Sequence, residues 1–173
     1  MKDTTLLVAS SRGDGNTWSF LEKIKATDKC EILNLSELQI SYFDYEQKNT
    51  GDDFLATIEE ICAYRTIGFV SPVYWYTVSA QMKTFIDRLS DLLVSRKDLG
   101  RELAGKQTFL LATGATDDSL PQGMEDCIKL TSEYMDMQFL GSFYLKVRGE
   151  RLFDEEQLSR ASDFLQRVCS GSA

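Results

Sequence analysis

Apolar positions along the chain follow two rhythms. Short, nearly unbroken apolar runs recur at Thr5 to Ala9, Glu31 to Leu35, Thr66 to Ser71, Gln107 to Thr113 and Phe139 to Val147. Between them lie stretches whose apolar residues return at helical spacing. Runs such as Leu6-Leu7-Val8 and Ile67-Gly68-Phe69-Val70 lack the polar alternation of a half-exposed strand and suit parallel strands covered on both faces. The intervening stretches, Trp18 to Ala26, Asp52 to Ala63, Ser79 to Ser95, Pro121 to Met137 and Asp154 to Val168, are the predicted helices. The third places Met82, Phe85, Ile86, Leu89, Leu92 and Leu93 on one face. The last opens with Asp154 three residues before Gln157, a capping pair, and then sets Leu158, Ala161, Leu165 and Val168 on one side, as expected where a domain closes.

Strands alternating with helices predict a single α/β domain over residues 1–173, a flavodoxin-like doubly wound five-stranded parallel sheet in the order 2-1-3-4-5 with helices on both faces. In that topology a ligand sits beyond the carboxyl ends of the strands where the winding reverses, so the connections after strands 1, 3 and 4 are expected to build the site. The one long connection elsewhere is the polar, aromatic stretch from Ser36 to Gly51.

Composition narrows the chemistry. With 43% hydrophobic residues, 2 Pro and 11 Gly in 173, the chain is globular rather than disordered. The balance of 19 basic against 27 acidic residues, net −8, with no long Lys/Arg run, argues against nucleic acid. No basic amphipathic helix supports membrane binding, and the apolar stretch near the N-terminus is too short for a signal peptide or membrane span, so a cytoplasmic location is expected. The absence of histidine removes the Ser-His-Asp triad, the Cys-His pair and imidazole metal sites together. Cys30, Cys62, Cys127 and Cys169 never form C-x-x-C; they read as reduced thiols, and no metal site is expected. Any chemistry has to come from elsewhere, a cofactor being one source.

The first loop, Ser10-Ser11-Arg12-Gly13-Asp14-Gly15-Asn16-Thr17, leads straight into a helix. Hydroxyl and amide side chains, glycines that admit close backbone approach and a helix N-terminus make a phosphate cradle. It is neither a Walker loop nor a dinucleotide fingerprint, since no G-K-[ST] follows and the third Gly is missing. Read alone, it equally suits a turn in which Asn16 or Thr17 caps the helix. Arg12 suits a phosphate, a second substrate or solvent, and Asp14 would repel an anion unless it points outward.

The second loop carries Pro72-Val73-Tyr74-Trp75-Tyr76 ahead of Ser79-Ala80-Gln81-Met82-Lys83. Consecutive aromatics in a loop offer flat surface for a planar heterocycle, or else a lid or dimer contact. The third, Ala112-Thr113-Gly114-Ala115-Thr116-Asp117-Asp118-Ser119, is either a ligand loop or a connection in which Thr116 or Asp118 caps the next helix. Asp87 and Arg88 read as a helix-surface ion pair with a neighbour, and Lys83 likewise.

The pattern S-x-R-x-x-G-N-T after strand 1, with S-P-V-Y-W-Y-x-x-S-A-Q-M-K-x-F-I-D-R after strand 3, resembles the flavodoxin-like NAD(P)H-dependent FMN reductase and quinone reductase superfamily. The resemblance implies bound FMN. Ser10, Arg12, Gly15, Asn16 and Thr17 match the phosphate loop, Pro72, Val73, Tyr74, Trp75 and Tyr76 the stretch against the isoalloxazine ring, and Thr113 and Gly114 the loop at its polar edge. Ala115 stands where the family has a second Gly, which would be strained if that position needs positive φ. Hydride would pass from NADPH or NADH to FMN and on to a small-molecule acceptor such as a quinone, azo compound, metal ion or free flavin, with no catalytic side chain assigned. The resemblance also implies a homodimer and leaves a tetramer open.

Two alternatives stand beside this: a flavodoxin-type one-electron carrier, and a binding domain of the same fold that has lost FMN. A phosphoacceptor receiver would need Asp where Ser71-Pro72 stands, and a low-molecular-weight phosphatase would need Cys where Ser10 and Ser11 stand.

Overall fold

The structure, a computed structural model, describes residues 3–115, 118–149 and 151–170. Strands β1 (Thr4–Val8), β2 (Glu31–Asn34), β3 (Thr66–Pro72), β4 (Gln107–Gly114) and β5 (Gln138–Lys146) form one sheet in the order β2-β1-β3-β4-β5. Each neighbouring pair is parallel, so the flavodoxin-like order expected from the sequence is observed. The helices are α1 (Asn16–Lys23), α2 (Ala26–Lys29), α3 (Phe54–Cys62), α4 (Ala80–Arg88), α5 (Asp91–Val94), α6 (Lys97–Leu103), α7 (Gln122–Tyr134) and α8 (Glu155–Ser170). Among the described residues, no helix is long and apolar enough to cross a membrane.

Strand periodicity divides the core into two layers. Leu6, Val8, Phe109 and Leu111 pack with Phe20 and Leu21 of α1 and Ala161 and Leu165 of α8. Leu7, Phe69 and Leu110 pack on the other face with Ile58 of α3, Met82 of α4 and Ile128 of α7. Gly68 in β3 makes the first layer possible, because a Cβ there would collide with the Phe109 ring and with Leu6. The Phe109 ring then meets Phe164 of α8 edge-on at 6.0 Å. At the start of α8, the Asp154 carboxylate accepts the Gln157 N–H at 2.9 Å, as the capping pair predicts.

The predicted helix from Ser79 to Ser95 is not continuous. Ser79 caps its start, its hydroxyl accepting the Met82 N–H at 3.3 Å. After Arg88 the bonds shorten to i→i−3, with Leu89 N–H to Ile86 O and Ser90 N–H to Asp87 O. The tightened turn rotates α5 relative to α4, so Leu92 stays 1% exposed while Leu93, expected on the same apolar face, is 41% exposed. The short helix α6 is not among the predicted helices; it buries only Leu99 and Leu103, too few residues to give a periodic signal.

Arg88 is the second correction. Asp87 does lie at the surface, paired with Lys83 at 2.5 Å, but Arg88 is 1% exposed. Its guanidinium is paired with Asp52 and, at 2.8 Å, with Asp91. It also donates to the carbonyls of Ser41 and Asn49, each at 3.1 Å, and lies over the Phe54 ring. One cation thus holds Ser41 and Asn49 of the long 36–51 connection, and Asp52 just after it, against α4. Burial pushes the Asp52 carboxyl up, but the hydrogen bond from Arg88, backed by the N–H groups of Ser41 and Phe54, outweighs it and holds the group below its ordinary value.

Arg88→Ala leaves two carboxylates without their cation and is expected to cost about 3–5 kcal/mol in urea unfolding. Because the folded value of Asp52 is depressed, its contribution to stability is complete above about pH 4 and disappears as pH falls through the lowered value. Asp52→Asn is therefore expected to flatten the acid limb of the stability profile.

Candidate functional site

A parallel sheet sends the carboxyl ends of β1, β3 and β4 to one edge, and there the three predicted loops meet. They line a cleft of about 190 Å³. The first loop contributes Ser10, Arg12, Gly15, Asn16 and Thr17, the second Pro72, Val73 and Tyr74, and the third Thr113, Gly114 and Ala115. Trp75 and Tyr76 are not among the lining residues; they stand at the tip of the second loop, 92% and 65% exposed. Thr116 and Asp117 lie outside the described residues.

The first loop does not merely cap a helix. The N-cap of α1 is Gly15, in extended conformation, and no side chain caps it. The orphan N–H groups of the first turn, which most helices satisfy with a side chain, therefore lack that partner beside the cleft. Thr17 is buried, and its hydroxyl shares a 2.9 Å hydrogen bond with that of Thr113 on β4. Since each hydroxyl carries one proton, the pair uses one and keeps the other. Ser10 is 5% exposed, its hydroxyl 3.3 Å from the Arg12 carbonyl. Asp14, the charge that would oppose an anion, is exposed and engaged by Arg151, which donates to its carbonyl oxygen at 2.7 Å and to its carboxylate at 3.3 Å.

Asn16 reveals a fourth wall that the sequence motifs do not announce. Its side-chain oxygen accepts the Arg151 N–H at 2.9 Å and its amide donates to the Gly149 carbonyl at 3.5 Å, while Val147 lines the cleft. The sequence signal is slight, a glycine at 149 between Arg148 and Arg151; the structure gives that glycine a φ of +89°. Asn16 thus fastens the β5–α8 connection onto the first loop. A larger cleft of about 440 Å³ lies beyond that connection, with Lys146, Arg148 and Arg160 among its lining, and shares no residue with the predicted set.

The second loop is held at both ends. Ser71, fully buried, accepts the Ser79 N–H at 2.9 Å, and the Val73 N–H donates to the Thr113 carbonyl at 2.8 Å. Between these anchors Tyr74 and Thr77 exchange backbone hydrogen bonds around Trp75 and Tyr76, whose φ values are +48° and +66°. Two successive left-handed residues make a tight turn of the kind that favours Asn-Gly. Aromatic side chains there cost on the order of 1–2 kcal/mol each. The chain spends that energy to present aromatic surface to solvent beside the cleft.

In the third loop, a Cβ on Gly114 would come 2.5 Å from the Tyr144 hydroxyl and 2.9 Å from its ring, so any side chain there would have to displace Tyr144. Ala115 is not among the residues with positive φ, and the strain anticipated from the missing second glycine does not arise. Asp118 does not cap α7, whose N-cap is Pro121; its carboxylate pairs with Lys146 at 2.5 Å and lies below its ordinary value chiefly through that hydrogen bond.

Uncapped helix N–H groups, small hydroxyls and a glycine-tight floor form a donor set suited to a phosphoryl group, with flat apolar surface next to it. The model of the NADPH-dependent FMN reductase family matches residues 3–150. The chain belongs to that family. This bears out the resemblance drawn from the loop motifs, and makes the protein an oxidoreductase with FMN as cofactor and a nicotinamide nucleotide as co-substrate. It is similar to a Bacillus subtilis protein named as an NAD(P)H-dependent FMN-containing oxidoreductase, YwqN, at 28% identity over 91% of this chain and 93% of the relative. The solved structure of a Trp repressor binding protein from Bacillus subtilis superposes with a TM-score of 0.74 at 25% identity, over 95% of this chain and 97% of that one. A WrbA-like flavodoxin from Agrobacterium tumefaciens shares the fold, with a TM-score of 0.68 at 16% identity over 99% and 97% of the two chains.

Trp75→Gly is expected to raise the urea midpoint, gaining on the order of 1 kcal/mol by relieving the left-handed turn, while lowering turnover. A variant that loses stability would show that the turn is unstrained.

Proposed function

We propose that this protein passes a hydride from NADPH or NADH through FMN to a small electron acceptor of the quinone, flavin or azo class. The observation that carries the site assignment is the uncapped start of α1, opening into a cleft walled by the ends of β1, β3 and β4. When bound, FMN supplies the two-electron chemistry at its ring, which suits a chain without histidine. The backbone N–H groups around Gly15, Asn16 and Thr17, the Ser10 hydroxyl and the spare proton of the Thr17–Thr113 pair hold the phosphate, with Arg12 supplying positive charge at the rim. Thr113 and Gly114 would meet the polar edge of the ring. Pro72, Val73 and Tyr74 would support it, and Trp75 and Tyr76, exposed beside the cleft, would stand next to nicotinamide and acceptor. No side chain of the cleft is assigned as a proton donor.

This reading extends to one domain over residues 1–173 and to a cytoplasmic location. It includes a homodimer, supported by Trp75 and Tyr76 standing exposed beside the cleft, where a second copy would cover them. Light scattering is expected to give twice the chain mass of 19.6 kDa; a monomer at micromolar concentration would remove the dimer from the reading.

Riboflavin, which lacks the phosphate, separates phosphate contacts from ring contacts. Thr17→Val is expected to weaken FMN by about 1–2 kcal/mol more than it weakens riboflavin in fluorescence titration. Equal losses for both ligands would move the phosphate away from α1.

A further inference from the structure

Two thiols that nothing in the flavin site uses lie against each other at the opposite edge of the sheet. Cys30 follows α2 and immediately precedes β2, and Cys169 sits in the last turn of α8. They are 139 positions apart in sequence, yet their Sγ atoms are 3.5 Å apart. A disulfide needs about 2 Å between the sulfurs, so the two atoms are in contact and unbonded. Cys30 is fully buried, whereas Cys169 is partly exposed.

The surroundings distinguish the two thiols. The hydrogen bond from Cys30, assisted against burial by a hydrogen bond with Thr4 and the charge of Lys29, pulls the Cys169 thiol down to about 7. Lys29 is steadied on α8 by its 3.4 Å contact with the Ser162 hydroxyl. Cys62 and Cys127 go the other way, since burial raises both. The chain therefore carries one reachable, activated sulfur with a buried partner already in contact, the arrangement of an attacking and a resolving cysteine.

We infer that Cys30 and Cys169 form a reversible disulfide driven by hydrogen peroxide, which staples the C-terminal helix α8 to the start of β2. The Cys169 thiolate attacks one peroxide oxygen. The O–O bond breaks, hydroxide leaves and takes up a proton as water, and Cys169 becomes a sulfenic acid. The Cys30 sulfur then attacks Cys169, the S–O bond breaks, and the departing hydroxide carries off the Cys30 proton as a second water. Two electrons pass from the dithiol to the peroxide; a dithiol reductant reverses the bond by exchange. The closed loop spans nearly the whole domain, so the oxidised form is the more resistant to unfolding.

The test treats full-length, FMN-loaded protein with one equivalent of hydrogen peroxide. Denaturing thiol titration is expected to fall from four thiols to two, peptide mapping to find one intrachain link between Cys30 and Cys169, and dithiothreitol to restore all four. The thermal midpoint of the oxidised protein is expected to lie above that of the reduced protein. The oxidation rate is expected to rise with pH around a midpoint near 7. Cys169→Ser is expected to keep its remaining thiols under the same treatment. Should all four thiols survive in the wild type, or Cys169 accumulate as an unlinked sulfinic acid, or the bond form between chains or through Cys62 or Cys127, the inference is overturned.

Discussion

Thr113 is the knot that ties the site. It is 3% exposed at the end of β4; its hydroxyl meets that of Thr17 at the start of α1, and its carbonyl accepts the N–H of Val73 in the aromatic loop. One residue therefore sets the distance between the first loop, the second loop and the floor they share. This works only because β1, β3 and β4 run parallel and in adjacent positions, which brings their carboxyl ends to one edge. Gly114, next in the chain, could take a side chain only by displacing Tyr144. The floor of the cleft thus combines one buried polar pair with one close approach, and neither tolerates much change.

Around that floor the chain leaves groups unsatisfied or strained where a ligand can use them. The first turn of α1 has no capping side chain, although the chain caps α4 with Ser79 and α8 with Asp154. Two aromatic residues occupy left-handed backbone beside an open cleft, although glycine would sit there at lower cost. Such departures from local rules are expected where function, rather than stability, sets the residue. Stability is supplied by the two apolar layers and by Arg88, which binds the long 36–51 connection to α4. The thiol pair lies at the amino-terminal edge of the sheet, the edge opposite the cleft, so its oxidation acts on how α8 is held rather than on the flavin contacts.

Much of the fold was legible because parallel strands covered on both faces are apolar without interruption. The five runs located the strands to within a residue or two, and their alternation with helices gave the sheet order. The three loops were legible because glycines, hydroxyls and stacked aromatics in connections have no core to serve. What escaped had no periodic trace. Arg88 sits on a helix beside polar neighbours, and nothing local says that Asp52, 36 positions away, will draw it inward. The break after α4 comes from hydrogen bonds one residue shorter, a change that leaves the apolar spacing almost intact until Leu93. The fourth wall depends on Asn16 reaching Gly149 and Arg151 across more than 130 positions, a contact that only the closed sheet creates. Cys30 and Cys169 escaped for the same reason, since spacing in sequence carried no hint of their contact.

The measurement closest to the central claim is the visible absorption of the protein after incubation with FMN and removal of the unbound fraction, followed under anaerobic conditions by NADPH or NADH. One flavin per chain, with its band shifted from that of free FMN and bleached within the mixing time of the nicotinamide, is the predicted result. A protein that emerges colourless, or one whose bound flavin stays yellow in excess NADPH and NADH, would contradict it.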